Sequence, residues 1–321
     1  METASVEWTQ TPSGVKVQYV DPGNINAAFW RLKVEEVAPT HIHLNSLYSW
    51  KFSLLPLLAT TSTAKVVLAP RGMLGQAARS IKPLKKRLFL SASKLAGIFK
   101  GITWHASTQL EAKEVSGFLP NATVQIAQDL PSPAPSENPS RADDRWNIAV
   151  IGRIHQVKNL HFSLQAVLGA KASRPVTVNF IGPVEDSAYQ EELEHLATKN
   201  PAVEVVFHGG MPPSELGPHF HAAHYLLSST TQENFGHSIV EAWAHGCPVL
   251  ISDRTPWRGL ETYNVGWDWP LDESEWNAGL NAALTLNHAE WEAKSRAARA
   301  YFSERVQSAE AERANLALFD L

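Results

Sequence analysis

SSTTQENFGHSIVEAWAHGCPVLIS, residues 228–252, reads as a strand end, a polar loop, a helix and a second strand. YLLSS (Tyr225–Ser229) supplies the first strand, Asn234-Phe235-Gly236 turns the chain into a helix ending at His245, and PVLIS (Pro248–Ser252) is the next strand. A helix start carries outward-pointing N–H groups and positive potential, which suits phosphate. Glu233 lies just before this start and Glu241 just over one turn inside it. A carboxylate accepts two hydrogen bonds side by side and so suits a vicinal diol, as in ribose or a sugar ring. Taken alone, either glutamate reads more readily as a helix-start or surface acid. Together they flank one phosphate-binding helix start.

Outward from this stretch, short strands alternate with helices. The second half holds strands at Asn147–Gly152, Val176–Gly182 and Val203–Gly209, with helices at Asn159–Lys171, Tyr189–Thr198 and Ser214–Ala223 and from Glu273 onward. The first half is similar: strands at Gly14–Val20, His41–Asn45, Lys65–Pro70, Ile102–Ser107 and Val124–Ala127, with helical stretches at Ala27–Val37, LLPLLA, Arg79–Lys100 and Gln109–Phe118. Such alternation means parallel sheets covered on both faces, with ligands at the carboxyl edges. Between Asp129 and Arg145, Pro131, Pro133, Pro135 and Pro139 sit among Ser, Asn and Asp, the composition of a stiffened linker. The expected domains are therefore 1–130, a linker 131–145, 146–300, and a C-terminal helix over 301–321 packing back toward the first domain. At 321 residues the chain suits two domains of about 150 each.

Composition narrows the classes further. Hydrophobic residues at 44% and charged residues at 19% describe a globular protein with a real core. The single Cys247 excludes a disulfide framework and fits a reducing compartment. METASVEWTQ has neither a basic nor an apolar leader segment, and no apolar run reaches about 18 residues, so a cytoplasmic location is expected. The net charge of −4 conceals an asymmetry: Val37–Leu110 contains no Asp or Glu but ten Lys and Arg residues. Arg79–Lys100 is the densest part, with Ile81, Leu84, Leu88, Phe89 and Leu95 on one apolar side. A basic amphipathic helix lies on an anionic membrane surface or presents a solvated face. Aromatics do not interleave with the basic patch on strands, which disfavours nucleic acid.

Glu233, Phe235-Gly236 and Glu241-Ala-Trp-Ala-His-Gly-Cys-Pro-Val resemble the signature of retaining nucleotide-sugar glycosyltransferases of the GT-B fold, family 4 ("group 1"). GRIHQVKNL (Gly152–Leu160) is similar to that family's Gly-Arg…Lys element. SDRTPWRGLETYNVGWDW (Ser252–Trp269) resembles a Thr-Pro-Trp…Gly-Trp variant of polysaccharide-assembling members, with packing as the plainer reading. More loosely, HIHLNSLYSWKFSLLPLLA, APRGML and TWHASTQLEA are similar to the acceptor domain, so that the likeness runs from about Gly14 to the end.

The resemblance implies two Rossmann-like domains facing a cleft and transfer of a hexose from a UDP- or GDP-sugar to a saccharide or lipid-linked acceptor in surface polysaccharide, lipopolysaccharide or glycoconjugate assembly. It implies catalytic roles for Glu233, Arg153 and Lys158, the two cations holding the diphosphate as charge develops on it. It implies donor binding by Gly152, Asn234, Phe235, Gly236, His237, Ser238 and Glu241, with Glu241 on the ribose and Glu233 on sugar hydroxyls. On the acceptor side it points to Arg71, Gly72 and His105; for His105, as for His43, a structural role reads equally well. No metal or other cofactor is expected, and no clustered Asp-x-Asp or His/Cys ligand set occurs.

Family members open with a strand, a Gly-rich loop and a long helix, whereas Met1 is followed almost at once by what reads as a later strand. The first domain is thus expected to lack its first strand–helix unit, either because the start lies upstream or because the chain is a shortened form. IAQDLP (Ile126–Pro131) also replaces a Pro-Asn-Gly turn. Three readings follow: a transferase, a nucleotide-sugar binding protein without turnover, or an epimerase of the same fold, for which no acid–base pair is evident.

Overall fold

The computed structural model describes residues 7–11, 13–59, 64–80, 82–135, 141 and 143–321. The chain divides into two compact units, Met1–Ala127 with Ala317–Leu321, and Gln128–Leu316.

The first unit opens with β1 (Thr9–Gln10) and β2 (Lys16–Val17), an antiparallel pair. The strand expected over Gly14–Val20 is reduced to these two residues and stays outside the parallel sheet. A tight turn explains this: Gly14 N–H donates to Thr11 O at 2.9 Å and Thr11 N–H to Val15 O at 2.8 Å. There follow α1 (Ala27–Val37), β3 (His41–Asn45), α2 (Leu55–Ala59), β4 (Lys65–Ala69), α3 (Gln76–Ser80), α4 (Pro83–Leu95), β5 (Thr103–Ala106), α5 (Gln109–Phe118) and β6 (Thr123–Ile126). β3-β4-β5-β6 is a parallel sheet in simple chain order, its core built on Leu44, Leu68, Trp104 and Val115.

The single basic helix expected over Arg79–Lys100 is corrected to the pair α3 and α4. Lys82 adopts a left-handed φ of 53° and Pro83 takes the first turn of α4, the helical position that tolerates proline. Ile81 lies outside the described residues. The expected apolar side is also split: Phe89 packs against the core, but Leu84, Leu88 and Leu95 are 69%, 63% and 91% exposed. Periodicity shows which side chains share a face, not whether that face is covered.

The second unit holds β7 (Trp146–Ile151), α6 (Leu160–Gly169), β8 (Val176–Ile181), α7 (Ser187–Ala197), β9 (Val203–Gly209), α8 (Gly217–Ala222), β10 (Tyr225–Ser228), α9 (His237–Ala244), β11 (Val249–Ser252), β12 (Gly266–Trp269), α10 (Glu273–Ala283), α11 (His288–Tyr301) and α12 (Ala309–Ala317). β12, Gly-Trp-Asp-Trp, is not among the strands expected above; it pairs in parallel with β11, and its alternating tryptophans are the strand signal it carries. Of the segment read as a linker, 136–140 and 142 lie outside the described residues, but Arg141 is no linker residue. It is buried over the Trp291 ring, and its guanidinium donates to Phe220 O and His245 O.

The six strands are parallel in the order β12-β11-β10-β7-β8-β9. Alternate side chains bury on the two faces: Ile148, Val150, Val178 and Phe180 in one core, and Ala149, Leu226, Val249 and Ile251 in the other. The chain winds outward through β8 and β9, then returns to place β10 on the other side of β7. That reversal opens a crevice at the carboxyl ends of β7 and β10, the place where open α/β sheets bind ligands.

Candidate functional site

The loops after β7 and β10 meet at this reversal. Thr231 N–H donates to Val157 O at 3.3 Å, and Ser229 Oγ–H donates to Asn159 O at 2.7 Å. Behind them, Ser252 Oγ–H donates to Thr230 O at 2.6 Å. Gly182, at the end of β8 with φ +154°, backs onto the first loop: a Cβ there would stand 2.0 Å from Gly152 O.

Within the crevice, Lys158 Nζ lies 2.7 Å from Glu233 Oε2, both side chains only about a quarter exposed or less. Glu233 Oε1 also accepts the Asn234 N–H at 3.2 Å. The Lys158 stem runs over Gly152, and Gly236 faces the Glu233 stem, so these four residues are contiguous. Gly236, with φ +84°, starts α9 and has no side chain of its own to cap it. Any larger residue there meets Ile239 Cδ1 at 2.9 Å as well as the backbone penalty of positive φ.

Glu241 projects from α9 one turn beyond His237, on the same face. Burial pushes its carboxyl above the ordinary range, while the nearby His237 acts in the opposite direction. Among the described residues, the carboxylate of Glu241 has no hydrogen-bond or ion-pair partner. His237 Nε2 lies 3.4 Å from Asp129 Oδ2, and Ser238 is half-buried in the first turn. Arg153 does not join Lys158: it pairs with Glu185 at 2.6 Å, at the surface. Glu185 gave no signal in the sequence, being one acid among many and 32 residues from its partner.

The Thr255-Pro256-Trp257 segment does more than fill space. Trp257 Nε1–H donates to Phe235 O at 2.5 Å, and its ring packs edge-on against Phe235 and Trp243. Trp257 therefore fixes the peptide that leads into Gly236 and α9. A motif containing Trp was legible, but its hydrogen-bond partner 22 residues away was not.

In the first unit, Arg71 and Gly72 form the turn after β4, Arg71 with φ +53° and its Nε–H donating to Asn45 Oδ1 at 2.9 Å. Gly72 N–H donates to Glu111 Oε1 at 2.6 Å, and Ser107 N–H to Glu111 Oε2 at 2.8 Å. Glu111, a buried carboxylate missed in the sequence, thus ties two strand-end loops together. Its spacing after Thr108 is the capping-box pattern, but here the acid reaches beyond its own helix. His105 Nε2 lies 2.8 Å from Ala127 O, which can only accept. Nδ1 of the neutral ring then accepts from His43 Nε2, 3.3 Å away. That is the geometry of a structural histidine.

The second unit is thus a parallel, doubly wound sheet with a lysine–carboxylate pair at its reversal point. Residues 134–267, fewer than half of the chain, match the model of the family described as glycosyl transferases group 1. Among solved structures, the fold is similar to that of WaaG, a glycosyltransferase involved in lipopolysaccharide biosynthesis (TM-score 0.67, 17% identity, 92% of this chain and 82% of that one). It is also similar to Anabaena Alr3699/HepE in complex with UDP-glucose (TM-score 0.69, 15% identity, 92% and 82%). A glycosyltransferase from Rickettsia africae is a third (TM-score 0.65, 14% identity, 92% and 79%). A comparison with curated proteins gives no match. The family match supports a group 1 glycosyl transferase; the solved structures show the fold.

Proposed function

We propose that this chain is a retaining hexosyltransferase of the family 4 set, using a UDP- or GDP-sugar donor and a saccharide or lipid-linked acceptor in surface polysaccharide or glycoconjugate assembly. The observation that carries this reading is the Lys158–Glu233 pair beside Gly152 and the glycine-led start of α9, at the reversal point of the second sheet. One solved structure of similar fold, Anabaena Alr3699/HepE, is seen in complex with UDP and with UDP-glucose, which supports a nucleotide-sugar donor.

In this proposal the start of α9 and Lys158 hold the diphosphate, and Arg153 joins them by leaving Glu185. Glu241, half-buried and unpartnered among the described residues, accepts the ribose hydroxyls. Glu233 holds donor-sugar hydroxyls once the diphosphate has taken Lys158 from it. The acceptor hydroxyl attacks the anomeric carbon on the face from which the diphosphate departs. The carbon–acceptor oxygen bond forms as the carbon–phosphate oxygen bond breaks, and the hydroxyl proton passes to a phosphate oxygen. Cations already in place stabilise the growing phosphate charge without reorganisation. The first unit serves the acceptor. Its α4, whose exposed Leu84, Leu88 and Leu95 stand beside the cations Lys85 and Arg87, rests on an anionic membrane surface.

A second reading, donor binding without transfer, is favoured by the first sheet, whose four described strands run in chain order with no reversal point. One assay separates the two. The chain is incubated with UDP- and GDP-hexoses and an acceptor pool, while diphosphate release and the product's anomeric configuration are followed by NMR. A product of retained configuration supports the proposal, and an inverted one contradicts it. Binding without release supports the second reading, and no binding contradicts both.

A further inference from the structure

The first unit contains a cavity of about 690 Å³ between α3, the first half of α4 and the end of α5. Its apolar wall is Leu74, Pro83 and Phe118, and Arg79, Lys86 and Arg87 bring three cations to its rim. Lys86 is held in place: its Nζ donates to Ala78 O at 2.5 Å and lies 5.1 Å from the centre of the Tyr48 ring. Arg79 and Arg87 are exposed and form no ion pair among the described residues. Two guanidiniums and an ammonium around one opening suit the charge of a phosphate group.

Among the described residues, the one carboxylate lining the cavity is Glu114. Burial and the neighbouring Glu111 push its carboxyl up to about 7, with Arg79 opposing, so near neutrality it carries about half a negative charge against three cations. Glu111 itself is turned away, holding Gly72 and Ser107. No acid occurs between Val37 and Leu110 to dilute the field. The volume exceeds that of a bare phosphate several-fold, leaving the apolar wall for a substituent.

We propose that this cavity is a binding site for phosphate esters carrying an apolar group, the phosphate held by Arg79, Lys86 and Arg87 and the substituent packed on Leu74, Pro83 and Phe118. It shares no residue with the donor set of the second unit. The exposed Leu84, Leu88 and Leu95 lie along the same helix α4, so the ester has two possible sources, a lipid headgroup at a membrane or a soluble compound.

The test is calorimetric titration of the full chain with dodecyl phosphate below its micelle concentration, beside inorganic phosphate and dodecyl maltoside. Dodecyl phosphate is expected to bind at one site, at least tenfold tighter than either control. Two independent variants probe the place. R79Q/R87Q removes charge from exposed side chains, and Gly117→Leu fills the cavity, since a Cβ at Gly117 meets open space. Each is expected to weaken binding at least tenfold at an unchanged thermal midpoint, while Gly117→Ala binds like the wild type. Competition by phosphatidate vesicles identifies a lipid headgroup, and competition by glycerol phosphate without an effect of vesicles identifies a soluble ester; either supports the site. Absence of dodecyl phosphate binding, equal binding of dodecyl maltoside, or full affinity in both variants overturns it.

Discussion

Replacing Glu233 by Gln should tighten binding of the bare nucleoside diphosphate while abolishing transfer. The two charges of Lys158 and Glu233 are 2.7 Å apart at side-chain exposures of 24% and 20%, between a surface and a buried pair. Coulomb attraction of about 6 kcal/mol at an effective dielectric near 20 is mostly offset by desolvation, leaving roughly 1–2 kcal/mol net. A diphosphate that takes Lys158 must displace this carboxylate and tolerate its charge nearby. Glu233→Gln removes both costs and keeps the side-chain shape, so affinity for UDP or GDP should rise about 5- to 30-fold. Turnover of the nucleotide sugar should fall at least about 100-fold, because the carboxylate no longer holds the sugar. Calorimetry at one salt concentration reads the first effect and diphosphate release the second. In a double-mutant cycle with Lys158→Met the gain should vanish. An unchanged or weaker diphosphate affinity in Glu233→Gln would refute the assignment of Lys158 to the phosphates.

Three further outcomes follow from the geometry. Trp257→Phe keeps the ring against Phe235 and Trp243 but leaves Phe235 O without its donor, which should lower stability by about 1–2 kcal/mol and loosen the start of α9; calorimetry should show weaker diphosphate binding alongside the lower melting temperature. Gly182→Ala places a methyl 2.0 Å from Gly152 O at φ +154° and should cost upwards of about 3 kcal/mol by denaturant titration. Glu114 is pushed up to about 7 in the folded chain from an ordinary 4.5, so folding takes up a proton between these values and stability falls as pH rises through that window. With its partial exposure discounted, Glu114→Gln should stabilise by about 1–2 kcal/mol at pH 8 and by nothing measurable at pH 4, read from paired denaturant titrations.

The site was legible where chemistry and local structure coincide in a short stretch. Glu233, Gly236 and Glu241 lie within nine residues that run from loop to helix, so their spacing alone sets their relation to the start of α9. Gly152 marks the end of β7 for the same reason. Long-range partners were not legible. Arg153 pairs with Glu185, and Trp257 with Phe235 O, through contacts that the fold creates and no local period encodes. β1 and β2 show a similar limit, because β-branched alternation announces a strand without saying which neighbour it takes. In α3 and α4 the single signal that mattered was Pro83, which starts a helix where the apolar period reads straight through.

The proposed function assigns the ribose to Glu241, beside a helix start assigned to the diphosphate. Its most direct test is the affinity of the full chain for UDP and GDP, measured for the wild type and for Glu241→Ala. The expected result is saturable binding of one of the two nucleotides, weakened at least about 30-fold in Glu241→Ala at an unchanged melting temperature, as loss of a charge-assisted contact to the ribose diol requires. Equal affinity in the two proteins, or no nucleotide binding by the wild type, would contradict it.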